Sequence, residues 1–295
     1  MKIIFGKIII IIFLSMTLTL TISMHSNTWA QKDNYIAFGD YLFKQQEYDR
    51  SISEYYRELY NSPLSNHDGS MDLRLGIAHA AKLDVETAQF FLTQVVEQYP
   101  KSYAAKWALL SLSKLYFQKR HYYLSMQKID RLLNLDIDDE TKKEAEAIKT
   151  WNYLREYDFL EAANWYKSTG DTDELSIKIK KGCHLKQKSP LLGGTLSAIF
   201  PGAGHCYSGM WQDGLFSFIL NFSFTYAAYQ SFNHNNYATG WILTFFELSW
   251  YTGNIYTGIG SAHKANRKTR EKFLDWLIRQ NLQKPNLNYE LPEIP

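Results

Sequence analysis

The sequence predicts an all-α protein, a helical solenoid of repeats followed by a glycine-rich transmembrane helical hairpin. Three observations lead there. Small residues and prolines recur at a step of 37 residues in the first half. Ten of the 16 glycines fall between Gly193 and Gly260. From Ser189 to Ala262, only Asp213 and Glu247 are charged among 74 residues.

Composition narrows the function classes. With 295 residues, 21% charged and 45% hydrophobic, the chain is neither disordered nor collagen-like, and two cysteines make no disulfide scaffold. Beyond residue 30 the chain carries 30 basic and 30 acidic residues, so no nucleic-acid partner is expected. The aromatic share of 16% suits packed helices or a membrane interface.

Residues 1–30 read as a secretory signal peptide: Lys2 and Lys7, an apolar run from Ile8 to Ile22, then Thr28-Trp29-Ala30 ahead of Gln31. Thr28 and Ala30 are the small residues that cleavage after Ala30 needs. An uncleaved anchor is the alternative, and in both readings the chain from Gln31 is exported. Localisation is therefore expected at the membrane of a bacterial envelope, with the repeat domain periplasmic.

Residues 31–175 are expected to form about four repeats of 37 residues. Gly39 and Gly76 share that step, as do Pro63 and Pro100, and Ser113 and Thr150 continue the glycine series. Nine residues after the small position stand Tyr48, Val85, Tyr122 and Phe159; twelve after it, Ser51, Ala88, Ser125 and Ala162; sixteen after it, Tyr55, Leu92, Ile129 and Tyr166. Large, small and large on one face of a second helix makes a helix-turn-helix unit whose helices cross closely at the small positions.

This segment resembles the tetratricopeptide repeat family, whose small, aromatic, alanine, aromatic and terminal-proline pattern is met by Gly39, Tyr48, Ser51, Tyr55 and Pro63. The second unit matches through Gly76, Ala88, Leu92 and Pro100. The third and fourth match through Tyr122, Ser125, Phe159, Ala162 and Tyr166, without the glycine or the proline. Family repeats run to about 34 residues, so longer helices or turns are implied. The resemblance implies a concave surface that binds a protein segment, the alternative being a spacer.

After a basic linker at 176–189, residues 190–262 read as membrane-embedded, with spans near 214–232 and 237–262 joined by Asn233-His234-Asn235-Asn236. Trp211, Trp241 and Trp250 stand near the ends of these expected spans. A buried soluble hairpin is the alternative. Ahead of the spans, Pro201 and Gly202 break a helix, while Gly204 and Gly209 allow close helix approach, giving a re-entrant first segment.

The run Ser197-Ala198-Ile199-Phe200-Pro201-Gly202-Ala203-Gly204-His205-Cys206-Tyr207-Ser208-Gly209, followed by Asp213-Gly214, resembles the signature of small bacterial membrane domains. His205 stands where those have glutamine. The resemblance extends to Glu247, Trp250, Tyr251, Asn254 and Asn266, and it implies architecture rather than activity. Glu247, Tyr251, Asn254 and Gly258 align on one helix face. Glu247 is expected to hydrogen-bond the glycine-rich segment, with an ion or proton site as the alternative. Basic clusters on both sides of the domain and an exported N-terminal part pull topology in opposite directions, which leaves the side of the C-terminus open.

Residues 263–282 read as a basic amphipathic helix on a membrane surface, with packing against the repeats as the alternative, and 283–295 as an extended tail. Cys183-His184 and His205-Cys206 match no zinc spacing. A Cys183–Cys206 disulfide and two free thiols both remain open. There is no phosphate loop, metal-binding histidine helix or glycine-flanked serine nucleophile. No catalytic residue, cofactor or metal is expected.

The sequence points to a non-enzymatic envelope scaffold. Its expected partners are other envelope proteins bound through the solenoid, membrane lipid, and a second copy of the chain in a homo-oligomer. A subunit of a small transporter or channel, or an enzyme whose site is not local in sequence, are the rivals.

Overall fold

Four residues with left-handed backbone, Gln46, Leu83, Arg120 and Tyr157, punctuate the first helices at the same 37-residue step. The first three each sit in the short turn between the two helices of a pair, and Tyr157 stands in the chain between α7 and α8. At the first three, the turn closes in one way: Glu47, Asp84 and His121 donate backbone N–H groups to Leu42, His79 and Tyr116, and the left-handed residues themselves donate to Phe43, Ala80 and Phe117. This double bond set satisfies the last carbonyls of the first helix and reverses the chain within two or three residues.

A computed structural model of the chain describes residues 35–62, 66–170 and 173–292. The export signal at 1–30 and Pro63 lie outside them. The described residues form helices without a strand: α1 (35–44), α2 (Tyr48–Asn61), α3 (Ser70–Ala81), α4 (Val85–Gln98), α5 (Tyr103–Gln118), α6 (Tyr122–Leu133), α7 (Asp139–Glu156), α8 (Phe159–Ser168), α9 (Asp173–Lys180), α10 (Pro190–Ile199), α11 (Ala203–Tyr207), α12 (Trp211–Asn233) and α13 (Tyr237–Arg279). A short 3₁₀ turn, Lys181–His184, follows α9. The fold is all-α.

The chain divides into two compact units, one of residues up to Glu156 together with Lys284 onward, the other Tyr157–Gln283. In the first unit the small positions Gly39, Gly76, Ser113 and Thr150 are all buried. A methyl group added to Gly39 would lie 2.6 Å from the Tyr55 ring, and one added to Gly76 would lie 2.7 Å from Leu92 Cγ. Tyr55 and Leu92 are fully buried and stand in equivalent positions, so the same close crossing is made twice. The pair Phe43 and Tyr48 packs ring to ring at 5.3 Å, and two periods later Phe117 and Tyr122 do so at 5.5 Å. Between the first two helix pairs, Arg74 Nε donates to Asp40 Oδ1 at 3.0 Å, and Tyr55 donates its hydroxyl to the same oxygen at 2.7 Å. Pro100 lies exposed in the connection from α4 to α5.

In the second unit α10 and α11 pack on α13, and α12 runs beside it. Gly202 turns the chain between α10 and α11 at φ 87, a left-handed value that favours glycine. Two expectations are corrected by this unit. Among the described residues no helix is long and apolar enough to cross a membrane, so spans near 214–232 and 237–262 are not supported. The reason is compositional: Ser217, Asn221, Ser223, Thr225 and Gln230 are scattered through α12, and threonine, serine and glycine through α13. Nor is 263–282 a separate surface helix. It continues α13, a single helix of 43 residues. Its Leu274 and Leu277 are buried, and Phe273 meets Phe159 edge-on at 5.3 Å, so its apolar face is covered by protein.

Candidate functional sites

The first candidate is the surface of α3, α4 and α5 on which the C-terminal tail lies. Helix α5 is buried along nearly its whole length and carries one deeply placed cation, Lys114, only 4% exposed. Glu144 Oε1 on α7 stands 2.8 Å from Lys114 Nζ, close enough for an ion pair but without an aligned hydrogen bond. Lys114 also donates to the backbone carbonyl of Asn288 at 2.8 Å. One turn further along α5, Gln118 Nε2 donates to the carbonyl of Leu287 at 3.1 Å, and Gln118 Oε1 accepts from the Tyr289 hydroxyl at 3.0 Å. The Tyr289 ring packs with Val85 against the buried cluster of Ala80, Ala88 and Leu115. Burial pushes the Tyr289 phenol up, which keeps it a neutral donor.

Sequence reasoning missed these residues. It expects an extended tail and assigns it no docking site; the described residues 282–292 carry no helix or strand. The available signal was Lys114 itself, a charge one residue after the small position Ser113 in an apolar helix.

The second candidate is the interior of the hairpin unit, where many of the signature residues meet. Asn254 on α13 accepts from the Gly202 backbone N–H at 3.1 Å and donates to the Ser197 carbonyl at 3.2 Å. Twelve residues on, Asn266 accepts from the Lys188 N–H at 2.6 Å and donates to its carbonyl at 2.8 Å. Two asparagines thus clamp both ends of α10 to one helix. Between them Ser261 donates to the Gly204 carbonyl at 3.2 Å, and Gly204 N–H donates to Ser197 Oγ at 3.2 Å. Tyr251 donates its hydroxyl to the Ala198 carbonyl at 2.6 Å, and Tyr207 accepts from the Ser189 N–H at 3.1 Å. Pro201 is half-buried in the turn before α11, Gly209 occupies an exposed left-handed turn before α12, and Gly214 is buried in its first turn.

Glu247 departs from the expectation. Its Oε2 is buried without a hydrogen-bond partner, whereas Tyr251, Asn254 and Gly258 on the same face meet the glycine-rich segment. Asp213 and Trp250 are exposed. His205 is only 6% exposed, and its Nδ1 has no partner; Asn221 Oδ1 is likewise buried and unpartnered. Both line a cavity with Asp213, Ser217, Asn254 and Lys264. Cys183 and Cys206 are both free. Among the described residues no group of three or more histidines, cysteines or acids is arranged to hold a metal ion.

Across residues 190–262 burial is inverted relative to an ordinary soluble core. Glycine, serine, alanine, asparagine and His205 occupy the inside, while Phe216, Ile219, Phe222, Ile242, Phe245 and Leu248 are at least half exposed. The hydroxyls along the two long helices fold back on their own backbone: Ser223, Thr244, Ser249 and Thr252 each donate to the carbonyl four residues earlier. Such back-bonding leaves few polar groups open to the surroundings.

No protein-family model matches this chain, and a search of curated proteins finds no match.

Proposed function

We propose that this protein is a membrane-anchored scaffold of the cell envelope, in which a tetratricopeptide-like repeat unit binds other proteins and the glycine-rich hairpin seats in lipid. The inverted burial of the hairpin carries the reading. Water penalises a surface of Phe216, Ile219, Phe222, Ile242 and Phe245, whereas acyl chains accept it. Lipid also favours what the interior offers, namely small residues in close helix contact and polar groups bonded within the protein. A low average hydropathy is compatible with this, because averaging around a helix mixes the inward asparagines and serines with the outward aromatic and aliphatic side chains.

Protein binding is supported by the repeat geometry, helix pairs with equivalent close crossings at Gly39 and Gly76, and by a face of α5 that holds extended chain through main-chain carbonyls. Cell fractionation combined with a photo-crosslinker on α5 tests the whole reading. The expected result is retention in membranes after salt and carbonate washing, with the same envelope proteins captured repeatedly. Release by carbonate, or crosslinks to cytoplasmic proteins alone, would contradict it.

A transporter subunit is the second reading, favoured by the cavity where the unpartnered atoms of His205 and Asn221 meet Asp213 and Lys264. Solute or ion flux in liposomes that His205→Ala abolishes would promote it over the scaffold.

A further inference from the structure

We propose that the C-terminal tail is an intramolecular ligand of the repeat unit, and that its seat is a peptide site for extended protein segments bearing a tyrosine. The inference rests on the scaffold reading and gives it a binding site, a ligand chemistry and a means of regulation.

The tail belongs to the same compact unit as the repeats although it ends the chain. It arrives without helix or strand, so its backbone groups are open to recognition. Two consecutive carbonyls, those of Leu287 and Asn288, are taken by Gln118 and Lys114, which lie four apart on one face of α5. Bonds to main-chain carbonyls hold any extended segment in register without reading its side chains. Selectivity comes from the next residue. The Tyr289 ring rests on Ala80, Ala88 and Leu115, whose two small side chains leave room for it. Its hydroxyl bonds Gln118 Oε1, which fixes the amide with its nitrogen toward the tail. A phenylalanine would fill the space and give up that bond.

Lys114 explains why the site is held occupied. A buried ammonium needs more acceptors than one misaligned carboxylate supplies, and the Asn288 carbonyl provides a second. A short tether presents the tail at an effective concentration of about 1 mM. A weak tail, with an intrinsic Kd of about 100 µM, would therefore reduce the affinity of a competing segment about tenfold.

The test uses the full chain in detergent micelles and a fluorescent peptide with the sequence of residues 284–292. Three proteins are compared: the unaltered chain, a chain ending at Gln283, and the full-length Tyr289→Ala variant, which retains the tail if truncation impairs folding. The expected result is about tenfold tighter binding to both variants than to the unaltered chain. Binding should fall at least tenfold for a peptide with the tyrosine replaced by alanine, and also when Gln118→Ala is added to Tyr289→Ala. Equal binding to all three proteins, or no binding to a Tyr289→Ala chain of unchanged helicity, would overturn the proposal. Partner capture in cells separates the two layers. If crosslinked partners persist but peptide binding fails, the scaffold stands and the tail site falls; if the peptide binds and no partner is captured, the tail site stands and the scaffold falls.

Discussion

Ser51 donates its hydroxyl to the backbone carbonyl of Gly39 at 2.8 Å, across the crossing of α1 and α2. Two periods later Ser125 makes the same bond to Ser113 at 2.9 Å. A helical carbonyl already engaged in its own ladder keeps a second lone pair, which a small hydroxyl residue on the facing helix can reach only where the helices touch. The bond therefore marks closest approach. In the intervening repeat Ala88 fills the equivalent place, with no hydroxyl and no exposed surface.

Ala88 thus offers a test with two signs. Ala88→Ser is expected to be neutral or to stabilise by up to about 1 kcal/mol, by adding the missing bond to the Gly76 carbonyl. Ala88→Leu is expected to destabilise by about 1–3 kcal/mol through overpacking. Urea midpoints followed by circular dichroism compare the two. A Leu variant as stable as the unaltered chain would contradict the repeat register.

The turns predict a gain. Leu83 is 77% exposed and held at φ 69, where a side chain strains the backbone and nothing apolar compensates. Leu83→Gly should raise stability by about 0.5–1 kcal/mol. A lowered midpoint would mean that Leu83 contributes contacts outweighing its strain.

Asp138 caps α7. Its carboxylate accepts from the Thr141 backbone N–H at 2.8 Å and from the Thr141 hydroxyl at 2.7 Å. These bonds hold its pKa below the usual carboxylate range. The folded pKa is depressed, so the stabilisation is present above the unfolded value of about 3.9 and is lost as pH falls through the folded one. Asp138→Ala should cost about 1 kcal/mol at neutral pH, and the difference should shrink under acid. A pH-independent difference between variant and parent would contradict the cap.

How much of this was legible in the sequence differs between the two units. The 37-residue step was readable because close crossing tolerates only glycine, alanine or serine, and Gly39, Gly76, Ser51 and Ala88 are rare enough in register to stand out. The left-handed residues share the same step and stayed hidden, because Gln46, Leu83, Arg120 and Tyr157 have nothing chemical in common. Only their backbone matters. In the hairpin the low charge and the glycines were visible, as was the helix face of Tyr251, Asn254 and Gly258. The surroundings of Glu247 were not, since a spacing of three or four places a residue on a face without saying which neighbour lies there, and its Oε2 is buried without a partner. The tail site was out of reach because Lys114 and Asn288 meet only through tertiary folding.

The asparagine clamp gives a fourth prediction. Asn254→Leu removes both bonds to the α10–α11 turn and leaves the Gly202 N–H and Ser197 carbonyl without them, which should cost about 1–3 kcal/mol. Melting in micelles should show the loss. Asn254→Leu melting at the parental temperature would show that the clamp is dispensable.

The claim on which the rest depends is that the outward face of the hairpin unit meets lipid. The direct measurement is to reconstitute the full chain in liposomes containing phospholipid with a photoactivatable group deep in the acyl chain, irradiate, and map adducts by mass spectrometry. Adducts are expected on Phe216, Ile219, Phe222, Ile242, Phe245 and Leu248, with none on residues 35–156. An absence of adducts across 211–262, or adducts confined to the repeat unit, would contradict the account.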